Sequence, residues 1–458
     1  MATKKDLLEA QNFSKARLLS AFVGGAPGGK ELEPAKPMRA VFVGIALTLM
    51  VILAGVFIGL IQPKLPSGWE NNRLIVASDT GARYISVAGE LHPVINTVSA
   101  RMAIPAGEFK VVTVKQGALE GIPIGGTVGI LGAPDTLPEA GHLDGTGWAA
   151  CATSNATTVQ IGDGRMKAAP TSSGIVVERD GETFVISGGM SYLVPEESRT
   201  PVLRAMGLDA MAPVKVRGEW LALFARGSDL TPMKVTGTDM ISDVDMRAGS
   251  VIRPTGGDAN ERYLLTPDGS LARMSDLAFQ LYQLGSGSGE LGKEINMSPA
   301  EIAELPTTDA AGEVDWPQQR LTPVADAAVP CATLAGSAGD QRTVLAAGGS
   351  AIEEPADETT SATAADGGAT AAVPTDTPSN VRVAKDGGAL VRGGSAGVLT
   401  LIDGGGTAYA LPGEASEGAA RLGYTMDDVD TVPAPWIQLL LAGPALTPEA
   451  AGSTPEAS

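Results

Sequence analysis

The chain has 458 residues, a formal net charge of −19, two cysteines and two histidines. Such an acid excess excludes the basic face that nucleic-acid binding needs. Cys151, Cys331, His92 and His142 lack the paired spacing of a zinc site, so neither a metal nor a cofactor is expected.

In chain order, residues 1–39 form a basic N-terminal segment. Seven Lys and Arg against four Asp and Glu make it net +3, which leaves −22 for the rest. Within it, 5–23 reads as a weakly amphipathic helix with Leu8, Leu19, Phe22 and Val23 on one side. It would lie on the inner membrane surface or order against a partner. Residues 40–61 are 22 consecutive uncharged positions. As a helix they span about 33 Å, enough for a bilayer core, and they are too long and too far from the start for a cleaved signal. The positive-inside rule places the N-terminus in the cytoplasm and the large acidic part outside. Gly55 and Gly59 form a G-x-x-x-G pair at which another helix could approach closely.

The outer part is too long for one ordinary domain. Both cysteines lie in it, and an oxidising compartment favours a disulfide over two buried thiols. It would close a loop of about 180 residues, contributing on the order of 4–5 kcal/mol by chain entropy. An internal repeat is the main signal here. FVISGGMSYLVP around Phe184 aligns with LIDGGGTAYALP around Leu401, so Tyr192 meets Tyr409 and Pro195 meets Pro412. Downstream, Trp220 meets Trp436 at nearly the same spacing. Shorter copies surround Asp79-Thr80-Gly81 with Tyr84, and Tyr263 with Asp268-Gly269. Each copy has strand–turn–strand logic followed by a helical stretch, and each is too small to bury a core alone. Tyr84, Tyr192, Trp220, Tyr263, Tyr409 and Trp436 are therefore expected in repeat cores, where aromatics bury large area.

The expected order is repeat 1 over 62–106, core over 107–175, repeat 2 over 176–235 and repeat 3 over 236–300. A second core part over 301–342, an acidic disordered insert over 343–380, repeat 4 over 381–446 and a disordered tail over 447–458 complete it. The insert carries six acidic residues and no Lys or Arg.

These residues resemble the EccB family, a membrane subunit of the type VII (ESX-type) secretion machinery of actinobacteria. The resemblance rests on Thr3-Lys4-Lys5, the single span, Asp79-Thr80-Gly81-Ala82-Arg83-Tyr84, Leu91-His92-Pro93-Val94 and Ser99-Ala100-Arg101. It continues through Gly121-Ile122-Pro123, Gly132-Ala133-Pro134-Asp135, Leu137-Pro138 and Trp148 ahead of Cys151. It implies a single-pass transmembrane helix plus an elongated α+β extracytoplasmic domain, with a β-rich core and four small quasi-symmetric repeats. It also implies a Cys151–Cys331 disulfide, a plasma-membrane location, self-association, and EccC, EccD, EccE and the protease MycP as partners. The function implied is structural, a platform for translocation; a peptidoglycan- or glycan-binding module is the alternative.

ATPase activity is attributed to the family, and it would require a phosphate site. Residues 24–30 match G-x-x-x-x-G-K, but Glu31 stands where a magnesium-binding hydroxyl belongs, and no strand precedes the loop. Asp403 ends a Walker-B-like run inside a repeat. Residues 393–397 match G-x-S-x-G, yet a strand follows rather than a helix and no histidine comes later. His92 reads as a turn residue. No catalytic residue is expected.

Overall fold

The structure, a computed structural model, describes residues 3–24, 37–60 and 65–455, apart from 153–155, 163–165, 236, 243–244, 288, 290, 292, 325–328, 338 and 348–378. The chain forms two compact units, Met1–Lys64 and Leu65–Ser458.

The first unit holds α1 (Lys4–Gly24) and α2 (Pro37–Leu60). Asp6 accepts hydrogen bonds from the Thr3 amide (2.9 Å) and hydroxyl (2.6 Å), which satisfies donors at the start of α1. The apolar residues of α1, from Leu7 to Val23, are all exposed. Arg39 is the one charged residue in the 24-residue α2. Among the described residues no helix is long and apolar enough to cross a membrane. Residue 61, the last of the expected 40–61 span, lies outside the described residues. Most of the loop 24–30 and the side chains of 57–60, around Gly59, lie outside the described residues.

The second unit is built from small sheets. The first has β1 (Arg73–Ala77), β2 (Arg83–Val87) and β3 (Glu90–Pro93) as an antiparallel meander. After α3 (Thr97–Ala103) comes β4 (Lys110–Val114), parallel to β1. The next hairpin, β5 (Ala149–Ala152) and β6 (Thr157–Ile161), belongs to a central sheet. The second sheet then begins as a meander of β7 (Ser173–Arg179), β8 (Glu182–Ser187) and β9 (Met190–Val194). It continues through α4 (Arg199–Met206), β10 (Val214–Lys215) beside β7, α5 (Gly218–Leu221) and β11 (Ala225–Arg226) beside β9.

A short hairpin, β12 (Met240–Ile241) and β13 (Met246–Arg247), leads into the third sheet. Its meander is β14 (Val251–Pro254), β15 (Arg262–Leu265) and β16 (Leu271–Met274). α6 (Asp276–Leu284), β17 (Glu294–Met297), α7 (Pro299–Glu304) and β18 (Thr307–Ala311) follow, with β17 parallel to β14 and β18 parallel to β16. β19 (Thr322–Pro323) returns to β7. β20 (Cys331–Ala335), β21 (Arg342–Leu345) and β22 (Ser379–Val383) complete the central sheet in the order β21-β20-β5-β6-β22.

The fourth sheet repeats the order: β23 (Ala389–Gly393), β24 (Leu399–Ile402), β25 (Thr407–Leu411), α8 (Ala415–Leu422), β26 (Asp430–Val432), α9 (Ala434–Gln438) and β27 (Leu441–Ala442). The chain ends with α10 (Pro448–Ala451).

Several sequence-based boundaries move. β4 and β18 lie in the expected core segments, yet pair with the first and third sheets. A parallel partner reached after a helix leaves no hairpin turn in the sequence to mark it. The segment 343–380, expected to be disordered, is ordered at both ends. Residues 343–345 are in β21, where Leu345 joins the apolar cluster and the Thr343 hydroxyl accepts from an indole, and 379–380 are in β22, paired with β6; 348–378 lie outside the described residues. The tail from 447 is not disordered up to residue 455. Leu446 and Ala451 are fully buried, and α10 packs on α3.

Cys151 and Cys331 are direct cross-strand partners of β5 and β20 and form a disulfide spanning a sequence separation of 180. Replacing both with serine should lower the free energy of unfolding by about 2–5 kcal/mol. Urea melts of the oxidised protein and the double variant would measure the difference, and equal midpoints would remove the disulfide from the stability of this sheet.

Candidate functional site: one face of the central sheet

Alternation along the central strands separates two faces. Cys151, Cys331 and Ala346 lie on one. Trp148, Ala150, Val159, Ala332 and Leu345 lie on the other, in the largest apolar cluster of the unit. Alanines in β5 leave room on that face for large side chains from elsewhere. Trp220 of α5 and Trp436 of α9 fill it, both fully buried. A buried indole usually finds an acceptor for its N–H. Trp220 donates to the Ala150 carbonyl at 2.9 Å, Trp436 to the Thr343 hydroxyl at 2.8 Å, and Trp148 to the Asp144 carbonyl at 2.7 Å. Trp148 and Trp436 meet edge to face, centroids 6.2 Å apart. The second and fourth sheets thus dock on the central sheet through matched tryptophans.

The matched glycines explain the same docking from the edges. The Leu345 amide donates to the Gly188 carbonyl at 2.7 Å, and a Cβ on Gly189 would lie 2.7 Å from the Thr343 carbonyl oxygen. On the opposite edge a Cβ on Gly406 would collide with Val381 of β22. Gly406 also has φ +79, a conformation glycine adopts at little cost.

The tyrosines sit at a second kind of junction. Tyr192 lies on β9 in a cluster where α4 meets α6, shared by the second and third sheets. Tyr409 lies on β25 in a cluster shared with Val98 and Met102 of α3, from the first sheet. Their hydroxyls donate to the Asp315 carbonyl (2.6 Å) and the Asp403 carboxylate (3.1 Å). Tyr84 is buried too, but on β2, so the turn before it joins first and second strands, whereas Gly188-Gly189 and Gly405-Gly406 join second and third. Tyr263 departs from the expectation. It is half-buried on β15 and donates to Glu261 at 2.8 Å. In the α7 that follows, the third residue, tryptophan in α5 and α9, is Glu301, and the apolar cluster around Ile302 is separate from that of the central sheet.

The chemical candidates have structural roles. Asp403 accepts from the Gly405 and Thr407 amides at 3.0 and 2.9 Å, holding the turn before β25. Ser395 lies in the turn between β23 and β24, with a strand following. His92 is on β3, its Nδ1 3.2 Å from the Gly126 carbonyl. Among the described residues no His, Cys, Asp and Glu group could hold a metal ion. Gly55 has open space around it. Two open clefts are about 260 Å³ beside Tyr263 and Glu261 and about 570 Å³ beside Thr136, Glu139 and His142.

Sequence reading missed Trp148 as the partner of Trp436, and the anchor made by Asp135. That carboxylate pairs with Arg83 and accepts from the Thr97 amide at 3.0 Å, at the start of α3. The Arg83 hydrogen bond holds its pKa below the ordinary value.

The family described as type VII secretion system ESX-1, transport TM domain B (EccB), matches residues 1–457. The chain belongs to the EccB family. Similar curated proteins include the ESX-2 secretion system ATPase EccB2 of Mycobacterium tuberculosis, 28% identical over 62% of this chain and 61% of the relative. The ESX-3 secretion system ATPase EccB3 of the same species is 25% identical over 69% and 63%. The matched region thus spans less than two thirds of these EccB relatives. Among solved structures, a chain of an intact ESX-5 inner membrane complex aligns with TM-score 0.63 at 19% identity, covering 100% of this chain and 96% of its own. A chain of an EccB3 dimer from the ESX-3 core complex gives 0.63 at 22% identity, covering 83% and 99%. These likenesses extend the family assignment to the fold.

Two predictions follow from the junctions. Trp220→Ala or Trp436→Ala should each cost about 3–5 kcal/mol in urea melts, with the phenylalanine variants recovering part of the loss. A loss near zero would mean that the sheets dock without the indoles. Burial, foremost, pushes the phenols of Tyr192, Tyr409 and Tyr424 from 10.0 up to about 12. A raised folded-state pKa stabilises fully below the unfolded value and is lost as pH rises through the folded one. Stability should therefore fall between about pH 10 and 12, and less steeply in Tyr192→Phe/Tyr424→Phe. An unchanged slope in that variant would assign the alkaline loss to other groups.

Proposed function

We propose that this chain is a structural membrane subunit of a type VII (ESX) secretion complex, with an outer part that builds the extracytoplasmic platform of the translocation machinery. The family match over residues 1–457 carries the reading. The chemistry of the unit agrees with it, because Trp148, Trp220 and Trp436, with Tyr192 and Tyr409, are spent on holding sheets together. In this reading α2 crosses the plasma membrane once, with α1 in the cytoplasm. Support comes from a 24-residue helix with one charge and exposed apolar residues along its described length, and from the basic segment before it. The four sheets are four quasi-symmetric modules, each running strand–strand–strand–helix–strand, set around the central sheet.

Its partners in this reading are the motor ATPase EccC, the subunits EccD and EccE, and the protease MycP, and the chain self-associates. A solved relative is described as a dimer, and others as parts of ESX-5 assemblies. "ATPase" stands in the names of curated relatives. Here the lone phosphate-loop-like run lacks its hydroxyl, and a platform requires no hydrolysis. Glycan binding through the matched aromatics is disfavoured by the burial of five of the six (Tyr263 being the exception).

Tagged protein purified from native membranes in mild detergent should bring down an FtsK-like motor ATPase and multi-span subunits, identified by mass spectrometry. A solitary protein, or one that retains only wall enzymes, would overturn the proposal.

A further inference from the structure

The first and fourth sheets are joined by an exchange of helix caps. The last carbonyls of a helix have no partner within it, and a cationic side chain there is favourable. Arg421 of α8 donates to the Met102 and Ile104 carbonyls, at the end of α3, at 2.7 and 3.0 Å. Arg101 of α3 donates to the Leu422 carbonyl, at the end of α8, at 2.9 Å. A Cβ on Gly423 would lie 2.7 Å from the Arg101 guanidinium, so the approach also needs that glycine.

Residues 443–453 run across the same junction. The Gly443 and Leu446 amides donate to the Ala408 and Ala410 carbonyls of β25, both at 2.8 Å. Thr447 then caps α10, which packs on α3. Finally the Ser453 carbonyl accepts from the Gly129 amide at 3.1 Å. The segment therefore begins on the fourth sheet and ends on the loop of the first.

α3 has seven residues, too few to persist alone. Only part of its apolar surface faces its own sheet: Ala100 packs there, while Val98 and Met102 are buried in the cluster of the fourth sheet and α10. At the second and third sheets' junction, Arg320 donates to the Arg204 carbonyl, near the end of α4, at 3.2 Å.

The geometry points to a latch: the strap 443–453 and the paired arginines Arg101 and Arg421 keep the first sheet folded, so the segment next to α2 is stabilised by the C-terminus of the chain. The first sheet is made early and completed last. Until residues 415–453 are present, Val98 and Met102 have no cover and the carbonyls that end α3 have no donor.

Hydrogen exchange on the full chain in detergent tests this, comparing the parent with a truncation lacking 444–458 and with Arg101→Gln/Arg421→Gln. Opening of a locally stabilised unit is read as faster exchange in that unit alone. The truncation should speed exchange in α3 and β1 by about tenfold or more, while β7 and β8 keep their protection. The double variant, which retains every core side chain and the strap, should give the same pattern at smaller amplitude; it carries the test should the truncation fail to fold. Unchanged exchange in α3 in the double variant would overturn the latch. Equal loss over all sheets would overturn it as well, since the first sheet would then have no separate dependence.

Discussion

The second unit depends on one apolar surface, the face of the central sheet that carries Trp148, Ala150 and Leu345. Small sheets of this kind cannot hide both sides by themselves. Each needs a neighbour, and for the second and fourth sheets that neighbour is the same face, entered by Trp220 and Trp436 with the indole N–H satisfied on arrival. The glycine turns set how near the sheets can come, and the tryptophans fill what remains. The helices do the rest: α4 on α6 ties the third sheet to the second, and α3 on α8 ties the first to the fourth. The centre thus fixes two sheets, and each of those holds one more.

Much of this was legible in the sequence because it is local. Hairpins announce themselves by glycine turns between β-rich runs, and a pair such as Tyr192 and Tyr409 keeps its spacing from those turns. The disulfide followed from compartment and resemblance. Non-local pairings were not legible. β4, β10, β17 and β26 return to the first strand of their sheets only after a helix, so nothing near them in sequence names their partner. The docking role of Trp220 and Trp436 was hidden for the same reason, since their repeat spacing suggested a core within each module. Tyr263 misled in the opposite direction. Its sheet has Glu301 in place of a docking tryptophan, and the face that carries it lines an open cleft.

An Ala- and Pro-rich tail reads as disorder by composition, yet 443–453 is ordered because β25 and α3 supply its hydrogen-bond partners and apolar neighbours. Composition reports what a segment can bury by itself. It is silent on what a distant surface offers.

The cross-strand cysteines have a consequence for how the molecule is made. The central sheet collects strands from residues 149 to 383, and the second and third sheets are strung between its halves. Cys151 must wait, as a thiol, for a partner about 180 residues downstream. Pairings so distant are slow to form. Once sulfur joins sulfur, β5 and β20 can no longer drift apart, and a slow search becomes a permanent registration. The pair therefore works as a completion mark in one direction: sulfur can join sulfur only where β5 and β20 already lie side by side, so an oxidised chain is one whose two central halves have met.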